Sequence, residues 1–229
     1  MPARVALYYA PDANDPLHLA AASWLGRDAD SNAPRPQPAL PALPDLPAIT
    51  ADARNYGFHA TLKPPMRLRD GAGWDDLLHT TRAIAATIPA FDLPPLRVAD
   101  LHGFLALREA EPSPELQALA DACIAGADAL RAPPSADELA RRRKSKLTPA
   151  QDATLMRWGY PYAFATWFFH MTLTRRLTPA ERQALLPAAQ VHFAAALAQP
   201  RRVTAITVFT QATADAPFSI AARVPLAAS

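Results

Sequence analysis

Phe58-His59-Ala60-Thr61-Leu62 recurs as Phe169-His170-Met171-Thr172-Leu173, so Phe-His-x-Thr-Leu stands once in each half of the chain, 111 positions apart. Both copies sit in apolar, aromatic stretches with strand character. Side chains along a strand alternate between faces. His59 and Thr61 therefore share one face, with Phe58, Ala60 and Leu62 on the other. In the second copy His170, Thr172 and Thr174 oppose Phe169, Met171 and Leu173. One face can enter a core while the other presents an imidazole and a hydroxyl about 6.7 Å apart, two residues at roughly 3.3 Å each.

The flanking sequence predicts the strands that carry these motifs. The first runs from Arg54 to Lys63 and is ended by Pro64-Pro65, with Lys63 on the His59 face. The second runs from about Phe164 to Thr174, fed by the aromatic turn Trp158-Gly159-Tyr160-Pro161-Tyr162. Val5–Tyr9, Leu96–Ala99, Gly103–Arg108, Arg202–Thr210 and Phe218–Val224 also read as strands. Asp15-Pro16 opens a short helix, and residues 74–88 form an amphipathic one. Between the strand-rich halves, 113–158 reads as helical, with Ser135-Ala136-Asp137-Glu138 and Thr148-Pro149-Ala150-Gln151 as capping boxes. Thr178-Pro179-Ala180-Glu181 opens a further helix. Six prolines between positions 34 and 47 favour an extended loop over 31–50. The expectation is α+β, with a single domain over 1–229. Within it, a strand-rich segment over 1–112 holds His59 and Thr61, a helical insertion covers 113–158, and a second strand-rich segment over 159–229 holds His170 and Thr172.

Bulk composition bounds the function. Half of the 229 residues are hydrophobic, enough for a substantial core, and 19% are charged. A net charge of +2 permits an anionic substrate without suggesting a chain built to coat nucleic acid. Cys123 is the only cysteine, which excludes an internal disulfide and a cysteine-rich zinc site. Its helical, apolar setting reads as core. His102 reads as a turn residue and His192 as structural or exposed. No run of about 18 apolar residues occurs, and no apolar signal core follows Met1, so a cytoplasmic protein without membrane association is expected. The oligomeric state is left open by the sequence, with a monomer as the default expectation. Dinucleotide-binding, P-loop and nucleophile-elbow motifs are absent from the sequence.

Two histidines flanking one phosphorus can divide the work of an in-line displacement. One, neutral, takes a proton from the attacking hydroxyl, and the other, as imidazolium, protonates the leaving oxygen. The threonine hydroxyls can steady the non-bridging oxygens. A zinc or iron site wants three or four ligands, and neither motif has a carboxylate two residues away, so no metal and no cofactor is expected. A single His-x-Thr reads first as an ordinary strand pair, and the matched second copy is what turns the reading to function. The run Arg141-Arg142-Arg143-Lys144-Ser145-Lys146 reads as a solvated face or as a source of phosphate-binding guanidinium groups, with Arg141 and Arg142 as the candidates. Lys63 is a candidate phosphate contact. Tyr56 and Tyr162 are candidate substrate contacts or packing residues.

The paired His-x-Thr motifs resemble the 2H phosphoesterase superfamily. Tyr56-Gly57-Phe58-His59-Ala60-Thr61-Leu62-Lys63-Pro64-Pro65, Trp158-Gly159-Tyr160-Pro161-Tyr162 and Phe169-His170-Met171-Thr172-Leu173-Thr174 are similar to its phosphonate-metabolism-associated, DUF1045-like branch. So are Trp24-Leu25-Gly26-Arg27-Asp28, Glu138-Leu139-Ala140-Arg141-Arg142-Arg143 and Phe209-Thr210-Gln211. The resemblance implies a bilobal, pseudo-twofold fold in which two antiparallel or mixed sheets with outer helices face a central groove. It also implies catalytic roles for His59 and His170 and phosphate binding by Thr61 and Thr172. A small phosphorylated sugar or nucleotide, a ribose cyclic phosphate above all, is the expected substrate. RNA ends bearing a 2′,3′-cyclic phosphate and non-catalytic binding of phosphorylated metabolites are the alternatives.

Overall fold

The computed structural model describes residues 2–40, 45–144 and 146–228. Nine strands occur among them: β1 (Arg4–Tyr9), β2 (Ala60–Met66), β3 (Phe91–Leu93), β4 (Leu96–Asp100), β5 (Leu105–Glu109), β6 (Met171–Thr172), β7 (Arg201–Val203), β8 (Ala205–Gln211) and β9 (Phe218–Pro225). Seven form one sheet in the order β4-β5-β6-β2-β1-β8-β9, and β3 pairs with β7 alone. Every ladder is antiparallel. The α+β class and antiparallel strands agree with the sequence reading. The two strand sets meet edge to edge through β2 and β6, which pair at Ala60 and Met171.

These sets interleave the chain. The His59 strand lies beside β1, β8 and β9, so half of that set comes from the C-terminal segment. The His170 strand lies beside β5 and β4, which come from the first half.

Alternation then sorts the faces. Val5, Leu7 and Tyr9 of β1, with Ala60, Leu62 and Met171, enter the main core. Covering that face are α1 (Pro16–Leu25), α4 (Trp74–Ala85), α5 (Pro114–Gly126) and α8 (Pro179–Leu197), which contribute Trp24, Leu77, Leu119 and Phe193 among others. Cys123 is buried there, as read. The short helices α2 (Leu46–Ile49) and α3 (Ala51–Tyr56) precede the first motif, and α6 (Ala136–Arg143) and α7 (Pro149–Trp158) precede the second. The sequence-read caps form: the Ser135, Thr148 and Thr178 hydroxyls each accept the N3 backbone N–H, and their own backbone N–H groups donate to the side-chain oxygens of Glu138, Gln151 and Glu181.

Three sequence expectations change. Residues 54–56 close α3 rather than open a strand, because Arg54 is held by the carbonyls of Leu25 and Pro47, at 2.6 Å each. Strand β2 continues through Pro64 and Pro65. It can do so because β6 pairs with β2 only at Ala60, leaving that stretch with an open edge where no proline N–H is needed. The second motif strand shrinks to β6, with a 3-10 turn at Phe164–Thr166 where a strand was expected. Beyond β6 the alternation lapses, and Thr174 is buried, its hydroxyl accepting the Leu105 N–H at 2.9 Å. The proline-rich reading of 31–50 falls partly on residues 41–44, and the basic run includes Ser145, all outside the described residues.

Candidate active site

Directly opposed residues of an antiparallel pair point to the same side of the sheet. Ala60 and Met171 are such a pair, and both are fully buried. One step in each direction sets His59 across from Thr172 and Thr61 across from His170, all four on the face away from α1, α4, α5 and α8. An antiparallel pair has a local twofold axis normal to the sheet, so the two His-x-Thr units present the same geometry turned by half a revolution. The histidines occupy the diagonal, with Cβ atoms about 7–8 Å apart, a gap that admits a phosphoryl group between them.

Each ring is held the same way. His59 Nδ1 lies 2.9 Å from the Gly57 carbonyl, and His170 Nδ1 lies 3.2 Å from the Phe168 carbonyl. A carbonyl only accepts, so Nδ1–H donates in both, and each Nε2 is left to exchange protons with a ligand. His59 Nε2 faces the Thr61 hydroxyl at 3.3 Å. Gly57 makes this anchor possible. Its φ of +77° favours glycine, and an added Cβ would come within 2.7 Å of the Ala29 Cβ.

Aromatic rings fix the imidazoles from the side. Tyr8 stacks on His59 with centroids 3.7 Å apart, and Phe168 stacks on His170 at 4.7 Å. Trp167 Nε1 donates to the Thr61 carbonyl at 2.9 Å, tying the second motif to the first strand, while Trp24 Nε1 donates to the Leu173 carbonyl at 3.2 Å. Burial lowers the His59 pKa to about 4, against the opposing pull of the Gly57 hydrogen bond, with the His170 charge lowering it further. His170 is also lowered, by burial first, with the Phe168 bond opposing and Arg108 adding to the depression. Burial thus disfavours the charged form of both rings.

Two cavities, a first and a second arm, border the motif residues. The first, about 410 Å³, is lined by His59, Thr61, Thr172, Tyr8, Tyr56, Tyr160 and the arginines 4, 141 and 142. The second, about 680 Å³, is lined by His170, Arg108, Arg176, Tyr162, Trp167 and Phe168. Tyr160 lines both. Helix α6 splits the basic run. Arg141 and Arg142 turn into the first arm, where the Arg142 guanidinium sits 5.8 Å from the Tyr160 ring centroid. Burial lowers the Arg142 pKa, and no carboxylate lies within ion-pair distance of it among the described residues. Arg143 instead forks onto Asp152 at 2.7 and 3.0 Å, fastening α6 to α7. Of the aromatic candidates, Tyr56 borders the first arm and stacks on Phe218, while Tyr162 borders the second and meets Tyr160 edge-on.

Lys63 is a correction. Leu7 pairs with Lys63 but Tyr8 pairs with Thr61, so β2 carries one residue more than β1 over that step. This β-bulge turns Lys63 off the Thr61 face. Its side chain is fully buried against the helix layer, donating to the Ile124 carbonyl at 2.8 Å and to Asp128 at 3.1 Å. Lys63 is a buried structural cation, not a phosphate contact.

Sequence reading missed Tyr8, Arg4, Tyr160 and Arg108. Tyr8 and Arg108 sit in strands that were read correctly, but which strands they neighbour follows from sheet order, which a local pattern does not carry. Among the described residues no group of three or more His, Cys, Asp or Glu side chains is gathered to hold a metal ion, and no helix is long and apolar enough to cross a membrane.

Comparison with known proteins adds the following. The family model described as "Protein of unknown function (DUF1045)" matches residues 61–219. A protein of Janthinobacterium sp. (strain Marseille) named ribose 1,5-bisphosphate phosphokinase PhnN is 43% identical over 228 residues, covering 97% of this chain and 50% of its own length. One of the same name from Laribacter hongkongensis (strain HLHK9) is 35% identical over 217 residues, covering 95% of this chain and 50% of its own. The chain spans about half the length of these curated relatives. Two crystal structures are also similar, each at 14% identity and over 99% of this chain. One is of a phosphoesterase, with a TM-score of 0.48 over 99% of that chain, and the other of E. coli LigT complexed with NADP+, at 0.47 over 98%. Its match to the family model begins at Thr61, within β2, and takes in the arginine-bearing helix α6 and the whole second motif, and the chain belongs to the DUF1045 family.

Proposed function

We propose that this chain is a metal-independent cyclic phosphodiesterase, or a closely related phosphoester hydrolase, acting on a small phosphorylated sugar or nucleotide. The observation that carries this reading is the diagonal pair of histidines, each with Nδ1 tied to the carbonyl two residues before it and Nε2 open to the groove. In the reaction one neutral Nε2 takes a proton from water as its oxygen attacks phosphorus. The P–O bond on the far side breaks, and the leaving oxygen takes a proton from the other, protonated, imidazole. A cyclic diester and one water become one monoester, and the pair returns to its starting protonation after one exchange with solvent. Thr61 and Thr172 can donate to the non-bridging oxygens, and Arg142, with Arg141 and Arg4, offsets the charge that gathers on them. Acid, base and charge stabilisation all come from side chains, which is why a metal is not required.

A ribose cyclic phosphate in phosphonate catabolism is the substrate this reading favours, supported by the motif resemblance and by relatives whose name refers to a phosphorylated ribose. The test is hydrolysis across a panel of cyclic phosphates in the presence of a chelator, on sugars, nucleotides and RNA ends. Turnover of the small cyclic esters to monoesters is expected. Activity that appears only on adding a divalent ion would overturn the mechanism, and turnover confined to RNA ends would overturn the substrate assignment.

A further inference from the structure

The second arm of the groove holds a cation that the mechanism does not use. Leu107 pairs with Met171 and Ala106 with Thr172, so one further step puts Arg108 directly across from His170, on the groove face. Arg97 lies across from Arg108 on the next strand. Two arginines directly opposed on one sheet face repel each other and cost stability. Arg108 Nε is buried and has no hydrogen-bond partner, although an unmet buried donor is costly. Its guanidinium lies 5.4 Å from the Phe168 ring centroid, the ring that stacks on His170. Among the described residues its only carboxylate neighbour is Glu109, reached by Nη2 at 3.3 Å, longer than a good charge-assisted bond. Arg176, held by the His102 carbonyl at 2.5 Å, lines the same arm, and no described Asp or Glu does.

We propose that this arm is a second anion subsite, in which Arg108, supported by Arg176, binds a negatively charged group of the substrate other than the phosphorus between the histidines. The inference rests on the proposed hydrolase reading and narrows its substrate class to small phosphosugars that carry two anionic groups. The reacting phosphoryl lies over the β2–β6 pair and the second anion over β5, one strand further, a span a pentose covers. The aromatic walls given by Tyr160, Tyr162 and Trp167 suit the sugar between them.

The test measures binding, not turnover, so it separates from the hydrolysis assay. Calorimetry compares ribulose 5-phosphate with ribulose 1,5-bisphosphate on the full chain, as wild type, R108K and R108Q. Melting temperature serves as the check on folding. Wild type is expected to bind the bisphosphate about 10- to 100-fold more tightly, the scale of one charge-assisted contact. R108Q should bring that ratio close to one while leaving monophosphate affinity within about threefold, and R108K should fall between. Equal affinity of wild type for both ligands would overturn the subsite. So would an R108Q variant that keeps the ratio, or one that weakens both ligands alike.

Discussion

At the scale of single residues, the proposed chemistry depends on where two imidazoles titrate. Catalysis by an acid–base pair needs one ring protonated and one neutral, a state most populated between the two pKa values of the pair. Both are depressed by burial, His59 to about 4, and His170 also lies below its ordinary value of about 6.5. The kcat/KM profile of the wild type is therefore expected to be bell-shaped with its maximum on the acid side of pH 6.5. A maximum at or above pH 7 would mean that the free groove does not hold the rings as described. The same shift bears on stability. The unfolded chain takes up a proton near pH 6.5 that native His59 refuses until about pH 4, so between these values the unfolded state binds more protons and stability rises with pH. Acidification from 6.5 to 4 should lower the urea midpoint, and the His59→Asn variant should show a shallower slope over that window. An identical slope in both proteins would contradict the assignment.

Elements decide which residues reach the groove, and here the sequence was only partly legible. Strict alternation from His59 correctly placed Thr61 in the groove and Ala60 and Leu62 in the core. It failed at Lys63, because a bulge is a property of two strands together and leaves no mark in one. The consequence is testable. Lys63 is buried against Asp128, which is also held by Arg131 at 2.8 Å and Arg157 at 2.9 Å. Asp128→Ala strands a buried ammonium and should cost about 3–5 kcal/mol in denaturant unfolding, whereas Lys63→Met leaves Asp128 with two arginines and should stay within about 1 kcal/mol of wild type. Equal costs would show that the pair is not organised this way. The second motif strand was read as eleven residues and is two, since its pairing with β2 is confined to Ala60. What replaces the missing ladder is the Trp167 indole on the Thr61 carbonyl. Trp167→Phe keeps the ring and removes that donor, so it should lower kcat about tenfold or more while moving the melting temperature by only a few degrees, the effect of about 1 kcal/mol. Unchanged kcat would remove Trp167 from the positioning of the two motifs.

For the whole molecule, the site exists only because distant segments interleave. The α+β class, the helical stretch before the second motif and the groove face of the His-x-Thr residues could be read from repetition and capping signals, while antiparallel and mixed sheets both stayed open. The sheet order could not, because β8 lies between β1 and β9 while β5 lies against β6, pairings set by long-range packing rather than local pattern. Arg108 was overlooked for that reason alone, since it faces His170 only once β5 and β6 are neighbours. The same interleaving is what the proposed mechanism requires: two motifs 111 residues apart meet across a single strand pair, where their histidines would act as one acid–base unit. Residues acting as one unit are strongly non-additive when removed. The decisive measurement is kcat/KM for the best cyclic phosphate with wild type, His59→Ala, His170→Ala and the double variant. Each single change should cost about 10²–10⁴-fold, and the double little more than the worse single. Either single variant within tenfold of wild type, or a double loss equal to the product of the two singles, would contradict a shared site.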